Sequence, residues 1–215
     1  MTEESILERV MLAFEGERVP RWVERRLATA PAAGVTLFRA FNVRDPAQVR
    51  EFAAAFQRAG EAGAARRGVV GAGAHGAGGP VLPLLVAADQ EAGQLMALGE
   101  ATTGFAGNMA LGAVGDEDLA ERVGTAIGRE ARAMGVNVVY APVLDLASEP
   151  GNAALGIRSF GDDPAAVGRL GAAMIRGLQA AGVAATVKHF PGLGAVDRDT
   201  HHELAVVRGD REMLD

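Results

Sequence analysis

The chain has 215 residues, 49% hydrophobic and 22% charged, with a net charge of −6 and no cysteine. The acidic surplus, without a dense basic cluster, excludes a nucleic-acid footprint, and the lack of cysteine excludes disulfides and thiolate metal sites. No apolar run reaches the roughly 18 residues that span a bilayer, and the acidic, amphipathic MTEESILERVMLAFEGERVP is not a secretory signal, so the expectation is a cytoplasmic protein without a membrane partner.

GVTLF (34–38) has the short β-branched and aromatic run of a buried strand. Asp45 and Pro46 follow as an N-cap and a first helical residue, and AQVREFAAAFQRAG carries helical spacing to Gly60, read as a C-cap. Residues 61–80 are rich in glycine and alanine and predict a flexible surface excursion, with His75 a solvated loop residue. VLPLLVAAD (81–89) is the second strand signal. A helix is predicted over 117–134, where Leu119, Val123, Ile127 and Ala131 recur on one face. GVNVVYAPV (135–143) is the third strand. Asp163-Pro164 opens a further helix lined by Val167, Leu170, Met174, Ile175 and Leu178 and closed by Gly182, and VAATV (183–187) is the fourth strand. LAVV (204–207) is a weaker fifth signal.

Apolar strands separated by helices predict an α/β protein with a parallel sheet. Asp89, Asp145 and the pair Lys188-His189 each follow a strand. Polar groups gathered at successive C-terminal strand ends are what the mouth of a (β/α)8 TIM-type barrel requires, and no G-x-G-x-x-G follows the first strand to support a dinucleotide fold. Four to five βα units against eight in a complete barrel predict about the first half of one, truncated at its C-terminus.

The stretch KHFPGLGAVDRDTHHEL (188–204) holds three of the chain's four histidines. In an extended segment Asp199 and His201 point to one side, so a carboxylate can fix the imidazole tautomer and free the other nitrogen for proton transfer. An isolated Asp-x-His is also common by chance. A metal cluster of His189, His201 and His202 is a further reading, although their spacing matches no standard metal signature.

The run from RSFGDDPAAV through KHFPGLGAVDRDTHHEL, with GVTLFRAFN, PLLVAADQEAGQLMAL and GVNVVYAPVLDL, resembles the N-terminal barrel domain of glycoside hydrolase family three. It is most similar to the β-N-acetylglucosaminidase branch, whose members carry K-H-F-P-G-H-G and then a D-S-H or D-T-H loop. The resemblance implies a retaining glycosidase acting on terminal β-N-acetylglucosaminides, with muropeptides among its partners and no metal or organic cofactor. It implies His201 as general acid/base, Asp199 as its orienting partner, and Lys188, His189, Arg158 and Asp89 as sugar-binding residues. The nucleophilic aspartate of the family lies on a later strand and has no match here. Leu193 stands for the second histidine of the family motif, Ala92 and Gln94 for a glycine and an arginine, and Ala205 for a frequent proline. A degenerate sugar-binding relative, a phosphorylase and a metal-dependent hydrolase are the alternatives.

Overall fold

The computed structural model describes residues 6, 9–29, 32–66, 83–149, 151–196, 198, 199, 201–204 and 206. His75, Asp197 and the tail 207–215 lie outside them. The described chain is α/β and divides into two compact units. The first comprises Met1–Asp89, Ala97–Thr102 and Glu130–Val139, and the second Gln90–Met96, Thr103–Arg129 and Tyr140–Asp215.

The first unit is built on a parallel sheet. Strand β1 (Met11–Leu12) pairs with β2 (Gly34–Leu37), β2 with β3 (Leu85–Ala88), and β3 with β6 (Val138–Val139), every pair parallel. All four residues of β2 are buried, as a strand covered on both faces requires. Helix α1 (Arg21–Thr29) packs on α2 (Pro46–Arg66). Phe14, Phe52 and Phe56 form an aromatic cluster with centroids 5.5 to 6.1 Å apart. Fully burying a side chain such as Phe56 contributes about 1.5–3 kcal/mol. Gln57 behaves like an extra strand partner: its amide accepts from the Leu84 N–H and donates to the Leu84 carbonyl, both at 2.9 Å.

Helix α2 runs through Gly60, so the expected stop there is wrong. Glu61, Ala62, Ala64, Ala65 and Arg66 are good helix formers, and the two interior glycines, Gly60 and Gly63, cost only about 1 kcal/mol each. The expected excursion therefore begins no earlier than residue 67, and 67–80 lies outside the described residues. The second strand also shortens to Leu85–Ala88.

The second unit holds a two-stranded antiparallel hairpin, β4 (Gln90–Ala92) and β5 (Leu95–Met96). It also holds α3 (Asn108–Val114), α4 (Glu117–Ala133) as far as Arg129, α5 (Pro164–Ala180) and β7 (Ala184–Ala185). Asp163 caps α5 by accepting from the Ala165 N–H at 3.0 Å, and Pro164 opens it. Val167, Leu170, Met174 and Leu178 form its buried face. Helices α4 and α5 touch through glycine: a Cβ at Gly124 would lie on the Met174 carbonyl oxygen, and one at Gly177 on that of Glu121. The hairpin and α3 carried no expectation; of the fifth signal, Leu204 and Val206 are not in a strand, and Ala205 and Val207 lie outside the described residues.

After β6 and β7 the chain continues as two extended segments side by side. Thr186 N–H donates to the Ala141 carbonyl at 3.1 Å, Lys188 N–H to that of Pro142 at 3.3 Å, and Leu144 N–H to that of Lys188 at 2.9 Å. A parallel bridge joins Val143 to Lys188. This register brings Asp145 next to His189.

Candidate active site

Two buried carboxylates organise the polar groups of the second unit. Asp145 is 5% exposed and spends both oxygens on the segment after Lys188. Its Oδ2 accepts from the His189 backbone N–H at 3.1 Å and meets His189 Nδ1 at 2.6 Å, while Oδ1 accepts from the Leu193 N–H at 2.6 Å. Burial pushes this carboxyl upward in pKa, but the bonds from His189 and Leu193 outweigh it and hold it below the usual carboxylate range. Ser159 Oγ donates to the Asp145 carbonyl at 2.6 Å and fixes the backbone behind it.

Glu91, in β4, is 1% exposed. Arg158, which ends the short helical turn Gly156–Arg158, grips it with two bonds, Nε to Oε2 at 2.8 Å and Nη2 to Oε1 at 2.7 Å. The Lys188 ammonium pairs with the same Oε1. Burial again acts upward on the Glu91 carboxyl, and the two cations outweigh it and leave it below its ordinary range. Arg158 Nη1 donates to the Ala154 carbonyl at 2.8 Å, and Nη2 lies 3.3 Å from His189 Nε2. Arg158, Lys188 and His189 are thus drawn together by Glu91 and Asp145. Lys188, His189 and Asp145 border a cleft of about 570 Å³, whose rim includes Ser148, Glu149 and Phe190.

Asp199 and His201 do meet, Oδ1 to Nδ1 at 2.7 Å, and the same oxygen accepts the His201 backbone N–H at 2.9 Å. These two bonds, the backbone one first, lower the Asp199 pKa. The His201 side chain is 75% exposed, and neither residue lines the cleft. Asp89 directly follows β3 in the first unit, where its carbonyl accepts from the Ala97 N–H at 3.1 Å. Among the described residues no group of three His, Asp or Glu side chains is placed to hold a metal ion, so the histidines of 188–204 form no cluster of that kind.

The loop at Leu193 is held through its backbone groups. The Leu193 N–H is held by Asp145, and its carbonyl accepts from Asn152 Nδ2 at 2.7 Å. A Cβ at the next residue, Gly194, would strike the Leu146 carbonyl, so this loop needs glycine there. Gln94 is exposed in the turn of the hairpin. Sequence reading missed Glu91 altogether. The available signal was an acid just after an apolar strand, which when buried demands cationic partners.

The model of the family described as glycosyl hydrolase family 3 N terminal domain matches residues 27–215. The chain belongs to glycosyl hydrolase family 3. Within that family it is 37% identical over 183 residues to a beta-hexosaminidase of Pseudomonas aeruginosa, covering 83% of this chain and 47% of that protein. It superposes on the structure of a family 3 beta-N-acetylglucosaminidase from Paenibacillus sp. str. FPU-7 with a TM-score of 0.85 and 37% identity, over 100% of this chain and 38% of that one. NagZ from Neisseria gonorrhoeae, solved in complex with N-trifluoroacetyl-D-glucosamine, gives a TM-score of 0.79 at 28% identity over 95% of this chain and 56% of that one. The chain spans less than half the length of the curated family 3 relative named here. Among the described residues no helix is long and apolar enough to cross a membrane.

Proposed function

We propose that the chain supplies the sugar-holding and acid/base parts of a retaining glycosidase acting on terminal β-N-acetylglucosaminides, muropeptide fragments among them. One observation carries the reading: in a chain of this family, Lys188 and His189 border a cleft while Arg158 and Lys188 are fixed by one buried carboxylate. A sugar has many hydroxyls and no charge, so it is recognised by donors and acceptors held rigidly enough to avoid an ordering cost on binding. The assignment of Asp89 rests on the family motif alone.

His201 protonates the leaving glycosidic oxygen and afterwards takes a proton from the attacking water. Asp199 stays ionised, accepts the hydrogen bond from Nδ1–H and keeps Nε2 for the reaction. Because this pair does not line the cleft, the segment around it must reach the leaving oxygen once sugar is bound. A retaining reaction also needs a carboxylate on the opposite face of the sugar, roughly 5–5.5 Å away in the usual two-carboxylate case. The acids beside His201 share its segment, and the reading gives none of them that role.

Residues 1–215 are therefore expected to bind N-acetylglucosamine, seen by titration calorimetry or saturation-transfer NMR, without hydrolysing a chromogenic N-acetylglucosaminide. Glucose, which lacks the acetamido group, should bind more weakly. Absence of saturable binding to N-acetylglucosamine would defeat the reading, and hydrolysis by this chain alone would defeat its account of the nucleophile. In a turnover-competent form, release of free sugar rather than sugar 1-phosphate separates hydrolysis from phosphorolysis.

A further inference from the structure

Among the described ionisable groups that take no direct part in the chemistry above, Glu91 is the most deeply placed. A carboxylate 1% exposed is costly to bury, and it stays in a fold when fixed cations compensate it. Here one of its oxygens serves both Arg158 and Lys188, and the other completes a two-bond fork with Arg158. The fork fixes the plane of the guanidinium, which a single bond would leave free to swing. That plane sets Nη2 at 3.3 Å from His189 Nε2.

An arginine has five N–H donors and no acceptor. For the Arg158 contact to be a hydrogen bond, Nε2 of His189 must be the acceptor, so the ring proton sits on Nδ1. On the other side of the ring Nδ1 faces Asp145 Oδ2 at 2.6 Å, and that carboxylate accepts the hydrogen bond from Nδ1–H. Both contacts thus select one neutral tautomer. Arg158, Lys188 and His189, which sequence reading treated as three separate ligands, are linked by one residue that has no place on the cleft rim.

We propose that Glu91 is a positioning residue: it fixes Arg158 and Lys188 for the sugar and, through the plane of Arg158, holds His189 as its Nδ1–H tautomer. The first half of this statement rests on the sugar-binding reading above, and the second half does not.

Glu91→Gln tests it with little change in shape. The amide offers one acceptor and one donor where two acceptors stood, and in either orientation its donor faces the guanidinium, which cannot accept, so the fork is broken. In residues 1–215 labelled at histidine, ¹⁵N spectra of the His189 ring should show a single Nδ1–H pattern for the native protein and a mixture of tautomers for the variant. The dissociation constant for N-acetylglucosamine should rise by about 10-fold, the effect of one lost charge-assisted bond. Glu91→Asp, which withdraws both oxygens by one bond, should move both readouts the same way but less, and it serves if the amide variant does not fold. Ring signals unchanged from native in a folded variant would overturn the proposal. If native protein fails to bind N-acetylglucosamine, the sugar reading falls, and the ring spectra still decide the role of Glu91.

Discussion

His201 and Asp199 make a local pair, two residues apart and bonded twice, so their geometry depends little on the rest of the chain. That makes Asp199→Asn a clean test of the acid/base assignment. The amide can donate to the imidazole, favour the wrong tautomer, and no longer balance an imidazolium; the comparable change in the serine protease triad costs about 10⁴ in kcat. In a turnover-competent form of the protein we expect a loss of at least about 10²-fold in kcat with an unchanged circular dichroism spectrum. Activity within a few-fold of the native value would rule out the pair. Because Asp199 is only partly buried and its partner His201 is largely exposed, the same substitution should leave the melting temperature within a degree or two of native.

At the scale of elements, the contact between α4 and α5 is set by the absence of side chains. Gly177→Ala would drive a methyl group against the Glu121 carbonyl and the Thr125 amide, both backbone, so neither can swing aside. Overpacking of this kind costs about 1–3 kcal/mol, which outweighs the gain of about 1 kcal/mol from alanine's better helix propensity. Gly168 lies in the same helix with nothing within 4 Å of where its Cβ would be. Gly168→Ala should therefore stabilise by up to about 1 kcal/mol. Urea denaturation of the two variants checks both signs, and a stabilising Gly177→Ala would show that the helices can move apart at no cost. The Asp163-Pro164 start of α5 and its apolar stripe were legible in sequence, because cap and periodicity are both local signals. Gly60 misled, because a glycine inside a helix and one that ends a helix look alike until the residues beyond are weighed.

For the whole molecule, the two buried carboxylates set an acid limit. Both titrate lower in the fold than in an open chain, where such groups titrate near 4. A depressed folded pKa adds stability that is fully present above the unfolded value and is withdrawn as pH falls through the folded one. These groups should therefore leave the melting temperature level from about pH 5 to 8 and lower it below about pH 4. Glu91→Gln and Asp145→Asn should each start lower and fall less steeply over the acid range, and parallel slopes in thermal scans would contradict the account. The strands and their polar ends could be read from sequence because they are short, contiguous patterns. The partnerships among those ends could not: Glu91 and Arg158 are 67 residues apart, and Asp145 and His189 are 44 apart. The register of the extended segments after β6 and β7 is what sets Asp145 beside His189.

The grip of Asp145 on the amides of His189 and Leu193 has a consequence in time as well as in space. Loop amides ordinarily trade hydrogen for deuterium within moments, since nothing needs to open first. These two should instead be slow, two late-labelling points in a stretch with little regular structure. Since one carboxylate shields both, they should be released together when it is removed. Deuterium uptake in Asp145→Asn should quicken at residues 189 and 193 alike, whereas independent changes would mean that the two ends of the loop are held separately.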